Sequence, residues 1–393
     1  MDSACAPERR PETFEGSGVD LELSPDQEMF RDTTRRFLEN EAPLSVVRSL
    51  EEDQAGFSRS YWSKGAGLGW TSMLVPEEFG GAGDYGQGLL DLVLVAEEMG
   101  RLTSPGPLVP TNVVAAALVA AGSDGQRQDV LPGIVSGDLV ATWAIAEPHA
   151  TWGPEGVNLT AEADGDGFVL NGRKTQVEAG AQADLVLVTA RSGAGLTQFL
   201  VPSGTSGVEV VPHRSLDLTR RFAELRFDGA RLPASAVVGV VGGAADEVER
   251  QTQVALVLQC AEAAGAAARV FDFTLEYAAD RYSFGRPLAS YQALKHRFAD
   301  MKLWLEASHA IADGAAEGVH ERSPKAAELA RVAKAYVGDR TVELVQDCVQ
   351  MHGGIGVTWE HDIHLYLRRV SVDKNTYGTP AEHREALATL IGL

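Results

Sequence analysis

The chain has 393 residues, 45% of them hydrophobic and 23% charged, which is long enough for two or three domains with substantial cores. Its formal net charge of -21 argues against a nucleic-acid binder and requires any anionic ligand to be held by local cations, not by the overall field. The stretch Met1 to Pro11 has no apolar core of a secretory signal, and the longest apolar run, around Val113 to Ala121, is too short to span a bilayer.

Cys5, Cys260 and Cys348 are few and far apart, with neither metal-ligand nor disulfide spacing, as expected of thiols in a reducing cytoplasm. Residues 1–22 lack periodicity and read as a loose arm. Residues 23–136 read as an all-helical domain: Ser24 can cap, Pro25 suits a first turn, and Phe30, Thr34, Phe37 and Leu38 recur at helical spacing. Two further helical stretches, Gly88 to Gly100 and Thr111 to Ala121, follow glycine-rich turns such as Gly80-Gly81-Ala82-Gly83.

Residues 137–242 change to short β-rich runs: Phe168 to Leu170, Leu185 to Thr189, Gln198 to Val201, Val208 to Val211 and Leu225 to Phe227. Asn171-Gly172 between two such runs predicts a hairpin turn, and the many short strands predict a barrel or sandwich in preference to a parallel sheet. Residues 243–393 return to helix. Small residues crowd Ala261 to Ala268. Ser323-Pro324 opens a long helix that carries Leu329, Val332, Tyr336, Leu344 and Cys348 and ends at Gly353-Gly354, as in a four-helix bundle.

Two C-terminal segments carry chemistry. Arg281-Tyr-Ser-Phe284-Gly285-Arg-Pro-Leu, running on to Gln292, sets an arginine and an aromatic ring at a corner between helices, able to anchor a phosphate and a flat ring; a salt-bridged helix corner is the plainer alternative. Gln350-Met-His352-Gly353-Gly354-Ile-Gly356 lets backbone amides approach a ligand such as a pyrophosphate; a glycine C-cap is the plainer alternative. His352, His361 and His364 do not make a persuasive metal set.

Together these segments and the helical, β, helical-bundle order resemble the acyl-CoA dehydrogenase family over nearly the whole chain. The resemblance implies FAD as cofactor, an acyl-CoA substrate, electron-transfer flavoprotein as acceptor, and FAD contacts at Arg281, Phe284, Gln292, Gln350, Gly353, Gly354 and Thr379. In the family these segments hold the adenine and pyrophosphate end of a flavin bound chiefly by a neighbouring subunit. The run Trp359 to Arg369 looks most like that of bacterial members acting on steroid side chains.

Other parts of the family pattern are missing. The reaction needs a carboxylate to take the α proton while the flavin takes the β hydride. Tyr377, in Asn375-Thr376-Tyr377-Gly378-Thr379, occupies one position of that base, and Ala255, 26 residues before Arg281, occupies the other. Ala146-Glu147-Pro148 lacks the usual hydroxyl and is followed by His149-Ala150-Thr151-Trp152 in place of a Gly-Ser turn. After Asn171-Gly172-Arg173-Lys174, Gln176 and Glu178 replace the flavin-flanking tryptophan and threonine.

The expectation is therefore a subunit of a heterotetramer, which supplies adenine-end contacts while an unlike sister chain supplies the base. A self-sufficient homotetramer with a relocated acid at Glu262, Glu249 or Glu178 is one alternative. Others are a flavin monooxygenase or oxidase on the same fold, and a binding module without enzymatic activity. Arg214, Arg220 and Arg221 are candidates for the CoA phosphates.

Overall fold

A computed structural model describes residues 23–83, 87–390 and 392; the arm expected at 1–22 lies outside the described residues. The helices α1 (Pro25–Glu41), α2 (Leu44–Ser49), α3 (Arg59–Ala66), α4 (Leu89–Arg101), α5 (Leu108–Ala121) and α6 (Asp124–Ser136) come first. Ser24 caps α1 in a reciprocal capping box with Gln27, with Pro25 in the first turn.

The middle of the chain holds β1 (Ala141–Ala144), β2 (Thr160–Asp164), β3 (Gly167–Glu178), β4 (Leu185–Ser192), β5 (Gly195–Pro202), β6 (Val208–His213), β7 (Phe222–Pro233) and β8 (Val237–Val238). They form one sheet in the order β6-β7-β3-β2-β4-β5-β8, with β1 also paired to β4. The pairing is mostly antiparallel, with β4 also pairing in parallel with β1 and β2. One sequence expectation is corrected here. Asn171-Gly172 is not a hairpin turn but a register irregularity inside the single strand β3. A Cβ on Gly172 would come within 3.0 Å of Leu159, and the Asn171 side-chain oxygen accepts from the Gly229 amide at 2.8 Å, so the pair serves close approach between strands. The β2–β3 turn instead falls at Asp164 to Gly167.

The last third comprises α7 (Ala245–Asp280), a short hairpin of β9 (Tyr282–Ser283) and β10 (Arg286–Pro287), then α8 (Gln292–His320), α9 (Ala326–His352), α10 (Ile363–Asn375) and α11 (Pro380–Leu390). Among the described residues α7 is the one helix long and apolar enough to cross a membrane by composition, and it is buried in the protein core. Its small residues let α4 approach backbone to backbone. A Cβ on Gly265 would lie 2.1 Å from the Glu97 carbonyl oxygen, and one on Gly100 would lie 1.9 Å from that of Glu262. That close crossing fixes where the Glu262 side chain emerges, at the junction of all three parts of the chain.

Candidate functional site

The first half of the site is an open face where α7 and α9 end. The Tyr277 ring stacks on His352 at 4.4 Å, and its hydroxyl donates to the His352 carbonyl at 3.4 Å. Arg281 follows Tyr277 by one helical turn and Gly353 follows His352, so both predicted segments come together. Phe284 (φ 49) and Gly285 (φ 81) make the tip of the β9–β10 hairpin, and Phe284 is 98% exposed. A phenylalanine held in left-handed backbone and presented to solvent is costly to a lone chain and points to a function for the tip. Arg281, Gln292, Gln350, Gly353 and Gly354 are all exposed, and a Cβ on either glycine would meet open space. Tyr282, Ile355, Val357 and Trp359 add exposed apolar surface to the same two segments. Residues of this chemistry, unobstructed, fit the adenine and pyrophosphate end of an FAD. Thr379 does not belong to this face: its hydroxyl bonds to Glu382 at 2.8 Å and caps α11.

The second half of the site is closed. Tyr377 is 4% exposed, its ring stacked on Trp143 at 6.0 Å and edge-on to Trp152 at 5.4 Å. Burial holds its phenol well above the ordinary value, so the group standing at the base position is a neutral phenol. Ala255 is fully buried on α7. Glu178, where a flavin-facing hydroxyl was expected, is buried and paired with the equally buried Arg220 at 3.4 Å; burial pushes its carboxyl up. Gln176 is exposed at a second irregularity of β3, with φ 51. Glu147 accepts from the amides of Asn158 and Leu159, both at 2.9 Å, and from Lys174 at 2.6 Å. The Glu-Pro and Asn-Gly-Arg-Lys segments are thus tied to one another by a buried ion pair. Side chains so arranged do not fit an isoalloxazine ring within this chain.

A buried charge cluster lies beneath. Glu262 is held between Arg220 and Arg369, the latter at 2.5 Å. Arg369 donates also to Asp217 at 2.5 Å, to the Thr219 hydroxyl at 2.6 Å and to the carbonyls of Thr103 and Ser104. One guanidinium therefore joins the N-terminal helices, the β region and α7. Lys334 donates to Gln259 and to the carbonyls of Asp373 and Thr376. Four carboxylates (Glu178, Glu262, Asp217, Asp373) face three cations (Arg220, Arg369, Lys334), leaving one negative charge in excess. The excess falls on Asp373. Burial and the neighbouring Glu262 push its carboxyl well up, and neither of its oxygens has a hydrogen-bond donor among the described residues. Asp217, by contrast, is pulled down to about 2 by Arg369 against its burial.

Models of the acyl-CoA dehydrogenase N-terminal, middle and C-terminal domains match residues 24–138, 142–230 and 248–391. The chain belongs to the acyl-CoA dehydrogenase family. It is 31% identical over 368 residues to acyl-CoA dehydrogenase IpdE2 of Mycolicibacterium smegmatis, covering 93% of this chain and 98% of that protein. It superposes on the Tcur3481–Tcur3483 steroid acyl-CoA dehydrogenase with a TM-score of 0.84 and 28% identity, covering 93% of this chain and 97% of the other. A glutaryl-CoA dehydrogenase from Mycobacterium smegmatis, solved in complex with FADH2, shares the fold at a TM-score of 0.86 and 24% identity, covering 94% and 95%. Acyl-CoA dehydrogenases are FAD-dependent oxidoreductases, so FAD is the cofactor against which the two halves of the site are judged.

The sequence-derived acids are all engaged. Glu262 and Glu178 belong to the buried cluster, and Glu249 pairs with Arg331 at 2.7 Å. Arg220 is buried there too, which corrects its reading as a CoA-phosphate contact. Arg221 is bound to the carbonyls of Leu50, Asp53 and Leu218, and only Arg214 stands exposed. Arg369, Asp217, Lys334 and Asp373 were missed by sequence reasoning. The available signal was a second arginine in Arg368-Arg369, placed on a helix whose neighbouring positions Leu365, Tyr366 and Val370 are apolar and buried.

Proposed function

We propose that this acyl-CoA dehydrogenase is one of two unlike chains in a heterotetramer: it supplies the adenine-end contacts to an FAD whose reactive ring sits in the sister chain. The sister chain supplies the carboxylate that takes the α proton of the acyl-CoA, and the FAD, when bound, accepts the β hydride. Arg281 and the Gly353-Gly354 amides meet the pyrophosphate, and Phe284 and Gln350 flank the adenosine end. The likeness to IpdE2 and to a steroid acyl-CoA dehydrogenase supports a CoA ester of a steroid-derived acid as substrate. Electron-transfer flavoprotein is the acceptor, as is typical of the family.

One contrast carries this reading. Phe284 is displayed to solvent on an open face, while Tyr377 stands buried at the base position behind two tryptophans. The test is reconstitution: this chain and an acyl-CoA dehydrogenase-like sister, each purified alone and then together, are assayed for acyl-CoA-dependent electron transfer. Activity is expected only in the mixture, and a homotetramer of this chain active alone would overturn the proposal.

A further inference from the structure

A pocket of about 290 Å³ lies apart from the buried cluster, between the first turns of α7, the end of α8, the C-terminal half of α5 and the loop before α4. Its volume is at the lower end of small-molecule sites, which run from about 300 to 1,000 Å³. Met73, Leu74, Ala117 and Val254 give it an apolar floor, and Arg250, Arg322 and His320 a cationic rim. The Arg250 guanidinium donates to the Val319 carbonyl, and the backbone amide of Arg322 donates to the same oxygen at 3.3 Å, which sets Arg322 in the turn beside Arg250. Arg322 adopts φ 54, a strained conformation for a non-glycine residue, and is exposed. Neither arginine forms an ion pair among the described residues, although most arginines around the buried cluster do. Glu247 is the one carboxylate lining the pocket. Burial and the neighbouring Arg322 work against the charge on Arg250, and Glu247 offsets them only in part. Two cations facing one carboxylate leave a net positive rim that an incoming anion would neutralise.

We propose that this pocket binds a small amphiphilic anion, a carboxylate or phosphate monoester whose charged head bridges Arg250 and Arg322 and whose short aliphatic tail covers the Met73–Val254 floor. The site needs no flavin and no partner, so it stands whether or not the heterotetramer reading holds.

Calorimetric titration of the full chain tests it, with octanoate, octyl phosphate, octanol and inorganic phosphate as probes. At least one of the two charged amphiphiles should bind saturably, roughly tenfold or more tighter than octanol or inorganic phosphate, and which one binds identifies the head group. Arg322→Glu should weaken that binding by roughly tenfold or more, and Arg322→Lys by much less. Arg322 is exposed, so unliganded Arg322→Glu should unfold at the wild-type temperature. Failure of both charged amphiphiles to bind, equal binding of octanol, or unchanged affinity in Arg322→Glu would each overturn the proposal.

Discussion

The Glu178 carboxylate lies 3.4 Å from the Arg220 guanidinium, and each residue exposes 5% or less of its surface. This pair stands where a family member would turn a hydroxyl toward its flavin. Arg220 also faces Glu262 and Asp373, and Glu262 in turn pairs with Arg369. The closed half of the site is therefore held by a densely ion-paired core.

Removing Arg369 should unfold the chain under mild conditions. Arg369→Met leaves Glu262 and Asp217 short of a buried cation and uncaps the Thr103 and Ser104 carbonyls, for a loss of about 3–5 kcal/mol. Urea unfolding measures this, and Arg369→Lys should recover only part, because a lysine cannot reproduce the five-donor geometry.

Tyr377 should be replaceable by phenylalanine but not by an acid. Its hydroxyl makes no hydrogen bond to the described residues, so Tyr377→Phe should cost less than about 1 kcal/mol and leave the activity of the reconstituted complex unchanged. Tyr377→Glu adds a buried carboxylate beside Glu178, Glu262 and Asp373. It should destabilise by about 3 kcal/mol or more without giving the lone chain activity. Thermal unfolding and flavin reduction by acyl-CoA read the two effects.

Arg281→Ala and Phe284→Ala should separate stability from cofactor retention. Both side chains are exposed, so the isolated chain should change by less than about 0.5 kcal/mol. The complex with the sister chain should lose bound flavin on gel filtration, read from its visible absorbance.

Stability should fall on the acid side through His383. Its Nε2 donates to the Tyr377 carbonyl at 2.9 Å, and burial pulls the imidazole from 6.5 down to about 4. Between those values the unfolded chain binds a proton that the folded chain refuses, so stability drops as pH falls from about 6.5 to about 4, by up to about 3 kcal/mol. Chemical denaturation across that range should show the loss, and His383→Asn should flatten it.

The sequence made the open half of the site legible because its residues are local: Arg281 with Phe284, and Gln350 with Gly353, sit within single turns whose glycines announce them. It also made visible what was missing at Tyr377, Ala255, Gln176 and Glu178. The buried charge cluster was not legible, because Arg369 meets Asp217 and Glu262 across 152 and 107 residues of chain. No periodicity encodes contacts at that separation. Asn171-Gly172 misled for a related reason: the dipeptide that favours a tight turn also suits an irregularity in a long strand, and only the partner strand β7 decides between them. The small residues of α7 were legible as a site of close helix approach, but that α4 is the helix they admit depends on contacts far apart in the chain.

The central claim is that this chain helps to hold a flavin without housing its reactive ring. The most direct test is the flavin-to-protein ratio, from visible absorbance, of the chain alone and of its complex with the sister subunit. The chain alone should carry no flavin, and the complex about one per pair of unlike chains. About one flavin per chain in the isolated protein, bleached by an acyl-CoA, would contradict it.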